Sequence, residues 1–343
     1  MIQFFGLHID RSAASAVVLG KDLKIWSRAT TAVVNAVEEA GTGIHEVPVA
    51  EWFRAGFHVL QEAYMGLPWK ARKAWGGGLA GPTGWIALDF DYEPLSPLRL
   101  TGSTAPEADF DAWLSRNPRL RRRISTVLSP KDYFRFALSG GLAADVTHAS
   151  RSGLLQGRTS QWSEEAVESK GLEMEWLPPV FDCHVTTGTL SEEGIRRSGL
   201  PGGFWLVAGS HSDEAALLAS GDLRDPVLRV LGHGETRSLI VSDAGDLTSA
   251  PPGWREVRSP IAGRTLLERE VEQGATGSLE GFEPYRAELR AAGLDVKRVE
   301  RAAAPPEEGA AALAAIGSGL AKDWDHFYKS RRGVGNPEEE GAA

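Results

Sequence analysis

The feature that most constrains the fold is a set of three extended apolar segments at the start of the chain. They are separated by short polar turns, and they cover residues 2–9, 16–19 and 25–34. Short apolar runs bounded by turn residues are typical of buried strands. Apolar side chains then recur at helical spacing at Phe53, Phe57, Leu60 and Tyr64. The pattern predicts three neighbouring strands covered by a helix.

A mixture of strands and helices continues through the rest of the sequence. The predicted strands cover residues 74–79, 85–88, 204–208, 227–231 and 238–241, and the predicted helices cover 110–114, 130–138, 213–220 and 308–320. Residues 244–258 are rich in proline and glycine and predict a loop or linker. A chain of 343 residues exceeds the size at which one hydrophobic core stops growing, so two domains are expected.

Composition excludes several classes of protein. The net charge of -9 disfavours nucleic acid and anionic membranes as partners, because both bind basic clusters. No apolar stretch approaches the roughly 20 residues of a membrane span. Cys183 is the single cysteine, which rules out an internal disulfide and fits a reducing compartment. We therefore expect a cytoplasmic protein with a small-molecule ligand.

Several segments, taken in order, resemble the FGGY carbohydrate kinase family, which includes xylulokinase and glycerol kinase. They are residues 6–12 (GLHIDRS), 110–118 (FDAWLSRNP), 129–135 (SPKDYFR), 138–140 (LSG) and 145–151 (DVTHASR). The resemblance implies an α/β, actin-like (ribonuclease H-like) two-domain fold with a reduced second domain. Expected boundaries are 1–235 for the first domain, 236–330 for the second and 331–343 for a flexible tail. A homodimer is common in that family.

The sequence departs from this family where ATP and sugar would bind. Glycine-rich turns supply the family's phosphate contacts, but here the first turn carries Asp10 and Arg11, and the second reads Gly232-His233-Gly234-Glu235. The family's catalytic aspartate aligns with Ser212, and a serine cannot take a hydroxyl proton at neutral pH. The adenine-binding motif is absent, and the two sugar-binding motifs are replaced at 82–84 and 101–105. ATP is therefore not expected as a cofactor.

The replacing residues suggest a different chemistry. Histidine is followed two residues later by a carboxylate at three turns that converge on one cleft in the resembling fold. Imidazole and carboxylate groups are ligands of Zn, Fe or Mn, so the candidate metal ligands are His8, His211, His233 and Glu235. Drift in an inactive cleft explains the same pattern. The candidate catalytic residues are Asp213, His211 and Asp10, and the candidate cofactor-binding residues are Gly232, Gly234 and Arg11.

Three functions remain open at this point. The first is a pseudokinase that has lost ATP-dependent sugar phosphorylation and binds a small ligand in the interdomain cleft. The second is a metal-dependent enzyme that is not a kinase and uses the His, Asp and Glu residues of the former phosphate turns. The third is a divergent, active sugar or polyol kinase.

Overall fold

The structure is a computed structural model, which describes residues 3–72, 76–101, 106–221, 223–224, 226–233, 236–244, 247, 249–272, 279–296, 298–302, 304–319, 324 and 327–328. Within these residues the helices are α1 (Val49–Met65), α2 (Pro106–Arg116), α3 (Pro130–Ser139), α4 (Val146–Arg151), α5 (Glu164–Ser169), α6 (Glu192–Ser198), α7 (Ser212–Ser220), α8 (Glu283–Ala291) and α9 (Pro306–Gly317).

The strands alternate with these helices along the chain. In order they are β1 (Gln3–Ile9), β2 (Ala13–Gly20), β3 (Ile25–Ala32), β4 (Val37–Glu38), β5 (His45–Val47), β6 (Gly76–Gly81), β7 (Gly84–Leu88), β8 (Leu98–Leu100), β9 (Thr126–Leu128), β10 (Ala144–Asp145), β11 (Val180–Phe181), β12 (Thr186–Thr189), β13 (Trp205–Val207), β14 (Ser210–His211), β15 (Val227–His233), β16 (Thr236–Val241), β17 (Arg255–Arg258), β18 (Thr265–Glu272) and β19 (Arg298–Arg301).

The first large sheet contains the three strands predicted at the start of the chain. Its order is β12-β13-β6-β1-β2-β3, with β14 also pairing with β6. Strands β1, β2 and β3 form an antiparallel meander, whereas β6 runs parallel to β1. β1 lies in the middle of the sheet and every side chain in it is buried except His8, which is half-buried. This burial on both faces explains its nearly continuous apolar sequence.

Helices cover the two faces of this sheet. α1 follows β5 and buries Trp52, Ala55 and Val59 in the core that the sheet forms with it, as the helical spacing predicted. α9 packs against β1 and β6. A Cβ atom at Gly6 would lie 1.7 Å from the carbonyl oxygen of Glu307, so β1 and α9 approach too closely for any side chain at that position.

The second large sheet repeats part of this plan. Its order is β17-β18-β16-β15-β19, in which β15, β16 and β18 are antiparallel neighbours and β19 is parallel to β15. Among the described residues one parallel strand, β19, lies beside the meander, whereas in the first sheet β6 lies beside it and pairs in turn with the parallel strands β13 and β14. The loop predicted over 244–258 is wrong at its end, because Arg255–Arg258 pairs with β18 as an edge strand.

A buried core lies between the two sheets. α7 and α9 pack against each other, and their apolar side chains join Phe4 of the first sheet with Leu231 and Ile240 of the second. Two α/β layers joined through such a pair of helices match the predicted fold class. Helix α9 follows β19 of the second sheet yet covers the first. The predicted domain boundaries stay a prediction, and residues 331–343 lie outside the described residues.

Smaller sheets extend the first half of the chain. One has the order β4-β5-β8-β7-β9, and the other pairs β10 with β11. Trp85 in β7 packs edge-on against Phe110 and Trp113 of α2, which fixes that helix on the sheet. In the part of the chain that is described, no helix is long and apolar enough to cross a bilayer.

Candidate functional site

The candidate site lies where three strands of the first sheet end at the same edge. In the parallel register His8 of β1 is opposite Ala80 of β6, and His211 of β14 is opposite Gly81. Carboxyl ends of parallel strands are where α/β folds place their ligands. Residues predicted from two separate turns are therefore neighbours, while the third predicted turn, with Gly234 and Glu235, is outside the described residues.

The first turn is closed by its own carboxylate. Asp10 Oδ1 accepts hydrogen bonds from the backbone N–H of Ser12 at 2.7 Å and of Ala13 at 2.8 Å, and from the Ser12 hydroxyl at 2.7 Å. Aspartate stabilises turns in this way by bonding the backbone two residues on. Two N–H groups of this turn, those of Ser12 and Ala13, are thus already bonded. Arg11 is exposed and its guanidinium lies 3.3 Å from His45 Nε2.

His8 contacts a hydroxyl. Its Nε2 lies 2.9 Å from Ser212 Oγ, the first residue of α7. Burial lowers the pKa of His8, and the nearby carboxylates of Asp10 and Asp213 oppose that shift. The side chains predicted from the first turn and from the start of α7 therefore influence one another electrostatically.

His211 is held at both ring nitrogens. Nε2 lies 2.9 Å from Thr83 Oγ1, and Nδ1 lies 3.0 Å from Glu214 Oε2. The Asp213 backbone N–H is 3.2 Å from Nδ1, at the start of α7. Burial lowers the pKa of His211 well below its usual value, and the positive charge of Arg151 lowers it further. The ring is therefore neutral near pH 7.

Arg151 of α4 holds three carboxylates together. Its guanidinium lies 2.9 Å from Glu214 and 3.4 Å from Asp213 in α7, and 2.9 Å from Glu268 in β18. Burial alone would lower the pKa of the Arg151 guanidinium. The negative charges of the three carboxylates outweigh that effect and raise it. Asp213, predicted as a catalytic base, is therefore part of an ion-pair cluster that also reaches the second sheet.

A second buried ionic group was not assigned a role from the sequence. Lys131 Nζ lies 3.1 Å from Asp145 Oδ2 and donates to the carbonyl of Ala208 at 2.7 Å. Asp145 also contacts His148 Nδ1 at 2.7 Å, and the His148 ring centroid lies 5.1 Å from that of His211. From the sequence, the segments that contain Lys131 and Asp145 indicated only the resemblance to the family. The available signal was an unusual density of charge at the start of two helices that are otherwise buried.

The metal interpretation gains no support from the described residues. No group of three or more His, Cys, Asp or Glu side chains among them is arranged to hold a metal ion. The ring nitrogens described above contact hydroxyl and carboxylate groups of the protein. The side chain of His233 and all of Glu235 lie outside the described residues, so this interpretation stays a prediction. Gly232 lies within β15 and pairs with Arg237.

Beside this site lies an apolar cavity of about 100 Å³. Thr83 and His148 belong to its lining and to the hydrogen-bonded groups around His211 and Asp145. The remaining walls are largely aromatic and aliphatic side chains, including Trp85, Phe110 and Trp176. Concave, mostly apolar cavities with a few polar groups are typical ligand sites.

Comparison with known proteins identifies similar sequences and structures. The N-terminal domain of the FGGY family of carbohydrate kinases matches residues 111–219. An autoinducer-2 kinase from Salmonella typhimurium is 31% identical over 121 residues, which is 35% of this chain and 23% of that protein. The Escherichia coli K12 autoinducer-2 kinase is 30% identical over 137 residues, covering 40% and 26%. The aligned part thus spans about a quarter of these curated relatives.

Solved structures share the fold at low sequence identity. A xylulose kinase from Rhodospirillum rubrum superposes with a TM-score of 0.71 at 19% identity, covering 79% of this chain and 61% of that one. A xyloylose kinase from Brucella ovis gives 0.77 at 16% identity, covering 98% and 99%. These structural similarities establish the architecture. The chemistry of the site has to be argued from its own residues.

Proposed function

We propose that the chain is a member of the FGGY family of carbohydrate kinases, which its sequence over residues 111–219 and its fold support, and that its cleft binds a small ligand without phosphoryl transfer from ATP. The observation that carries the proposal is the closed first turn. In the family, backbone N–H groups of this turn contact the phosphates. Here the carboxylate of Asp10 accepts hydrogen bonds from Ser12 and Ala13. A triphosphate would have to displace a bound carboxylate and would meet its negative charge.

The proton acceptor that the reaction needs is also missing from its position. Ser212 stands where the family has its catalytic aspartate, and its hydroxyl contacts His8. The adjacent carboxylate of Asp213 pairs with Arg151 at 3.4 Å. An acceptor of a sugar proton has to lie within hydrogen-bond reach of that proton and be free to receive it. A serine hydroxyl and an ion-paired carboxylate both serve this role poorly.

The deciding experiment is calorimetric titration of the protein with ATP–Mg. We expect no binding heat up to about 1 mM ATP, whereas sugar kinases commonly have micromolar to millimolar affinity for substrates. A dissociation constant in the micromolar range would contradict the proposal. The variant Asp10→Gly releases two N–H donors and should bind inorganic phosphate or ATP more tightly than the control Asp22→Gly, which alters the next turn along the chain.

A second candidate function follows from the names of the relatives. Both are autoinducer-2 kinases, so a divergent, active kinase is the alternative to test. An assay of ADP formation with xylulose, glycerol and other polyols separates the two proposals. Turnover with any of them would establish the kinase; its absence, together with absent ATP binding, favours a ligand-binding protein.

A further inference from the structure

The aromatic cavity beside the cleft has properties that the proposed function does not use. Its lining contains Trp85, Phe110, Trp162 and Trp176, and none of the described lining residues is lysine or arginine. The indole N–H of Trp85 donates to Asp109 at 2.8 Å, and that of Trp162 donates to the carbonyl of Pro178 at 2.7 Å. The indole N–H donors of Trp85 and Trp162 are therefore bonded within the protein, so these two side chains offer ring surface and no donor to a ligand.

One buried acceptor on the wall is unsatisfied. The side chain of Glu107 is nine-tenths buried, with 10% of its surface exposed, and its Oε2 has no hydrogen-bond partner among the described residues. The other oxygen, Oε1, lies 4.0 Å from Lys170 Nζ. Burial raises the pKa of this carboxyl group, and the backbone N–H of Glu107 together with the charges of Lys170 and Arg255 opposes that rise. Buried polar atoms almost always have a partner, so an unpaired carboxylate oxygen in a cavity wall calls for a donor from outside the protein.

The second carboxylate in the cavity wall, that of Asp132, already has partners within the protein. Asp132 accepts from the hydroxyl of Ser129 at 2.7 Å and lies beside Lys131 and Arg135. Its charge is balanced within the protein, so Glu107 alone provides an acidic group for a ligand. Aromatic rings attract cations through their negative faces, and the attraction grows when the cation is removed from water. Ring surface and one carboxylate oxygen together favour a positively charged ligand.

From these contacts we propose that the cavity binds a small organic ammonium ion, with its amino group on Glu107 Oε2 and its apolar body among the aromatic rings. A cavity of about 100 Å³ restricts the ligand to a body near the size of one ring, since an engineered apolar cavity of roughly 150 Å³ accepts benzene. The inference goes beyond the proposed function and does not depend on whether ATP binds.

Benzylamine and its neutral analogue benzyl alcohol test the proposal on the whole protein. Titration followed by tryptophan fluorescence and calorimetry should show that benzylamine binds at least about tenfold more tightly than benzyl alcohol, because a hydrogen bond to a charged group exceeds a neutral one. Equal affinity for the two, or no binding of benzylamine at 10 mM (about ten-thousandfold weaker than micromolar), would overturn the proposal.

Variants assign the effect to Glu107. Glu107→Gln preserves the shape and should remove the preference for benzylamine while leaving benzyl alcohol binding unchanged. Glu165→Gln in α5 replaces an exposed carboxylate of the same region and is the matched control, for which wild-type affinities are expected. A preference that survives in Glu107→Gln would contradict the assignment. If that variant fails to fold, the cavity variant Phe110→Leu, with reduced affinity for both compounds, keeps the ligand's location testable.

Discussion

At the scale of single residues, the most consequential group is the neutral imidazole of His211. Its two nitrogens contact Thr83 and Glu214, and Glu214 also binds Arg151. A protonated ring there would lose its hydration and lie close to a guanidinium. The neutral form is therefore a condition for the folded state, and it links the site to the stability of the whole protein.

This condition predicts a loss of stability in mild acid. Burial lowers the folded-state pKa values of His211 and His8, so the unfolded chain binds more protons once the pH falls below about 6.5. The histidine contribution is fully present above pH 6.5 and is lost as the pH falls toward the folded pKa values, by about 1.4 kcal/mol per pH unit for each histidine. Urea unfolding at pH 7.5, 6.5 and 5.5 measures it.

Replacing one histidine should flatten this profile. In His211→Gln the loss of stability between pH 6.5 and 5.5 should shrink by about 1 kcal/mol, since one proton-binding difference disappears. His58→Gln, which removes a solvent-exposed histidine of α1, is the control and should keep the wild-type profile. An unchanged profile in His211→Gln would show that other groups control the acid sensitivity.

Residue pairing was the part of the site that sequence could predict least. The spacing of His8, Asp10, His211 and Asp213 indicated that these side chains face one cleft. It could not indicate that Asp10 bonds its own turn, because that depends on the backbone path after β1. Nor could it place Arg151 among three carboxylates contributed by two distant elements. Contacts between residues far apart in the chain depend on the packed structure.

At the scale of secondary-structure elements, α9 has the most demanding position. It combines small residues with close backbone contacts: a Cβ atom at Gly78 would lie 2.2 Å from the carbonyl oxygen of Ala310, and one at Gly309 would lie 1.9 Å from that of Ala215 in α7. Neither contact can be relieved by a rotamer change, because the opposing atoms belong to the backbone. The helix is therefore held at a spacing that only glycine permits.

Substitution of Gly309 tests this arrangement. Although alanine favours helix formation, Gly309→Ala should destabilise the protein by about 3 kcal/mol, because overpacking forces α7 and α9 apart. Gly202→Ala is the control: its Cβ would make an ordinary contact at 3.5 Å, and stability should change by less than about 1 kcal/mol. Thermal and urea unfolding of both variants provide the comparison. A neutral Gly309→Ala would mean that the helices are less tightly packed than described.

Periodicity predicted the long buried elements, and the segment that was wrongly assigned to a loop has a physical explanation. The apolar face of α1 and the continuous apolar sequence of β1 agree with the structure because burial selects those patterns. β17 was predicted as loop because Val257 is its single apolar residue and proline and glycine precede it. Edge strands have only one paired neighbour and tolerate such sequences. Local pattern therefore identifies central strands better than edges.

At the scale of the whole molecule, Arg151 connects the two large sheets. It lies in α4, contacts Asp213 and Glu214 beside the first sheet, and binds Glu268 in β18 of the second. All four side chains are nine-tenths or more buried. Opposite charges buried together stabilise little in net terms, but removing Arg151 takes this cation away from Asp213 and Glu214, while Glu268 keeps Arg255 at 2.8 Å.

Removing the positive charge of Arg151 should therefore destabilise the protein strongly. Arg151→Met should destabilise the protein by about 3–5 kcal/mol, because three buried carboxylates lose their common partner. Arg158→Met is the matched control: it also reaches the second sheet, through Glu256 at 2.9 Å, but the pair is exposed, and the expected loss is at most about 1 kcal/mol. Equal effects of the two variants in urea unfolding would contradict this account of the interface.

The fold class could be predicted from the sequence, but the way in which the two large sheets are connected could not. The order of strands, turns and helices predicted two α/β units, and the two large sheets agree with it. The crossing of α9 from the second sheet to the first was not predicted, because an apolar helix of alanines can cover either sheet equally well. Its destination is set by glycines at positions 6 and 78, which lie far away in the sequence.

The packing of α9 against β1 and β6 has a consequence for folding during biosynthesis. While the ribosome is still translating the second half of the chain, the strands of the first sheet have already emerged, but the helix that covers one of their faces has not. That face remains exposed to water until residues 306–317 have left the exit tunnel, so the first sheet cannot be fully covered before then. Until then the nascent chain presents an uncovered apolar sheet face, which is the kind of surface that chaperones bind.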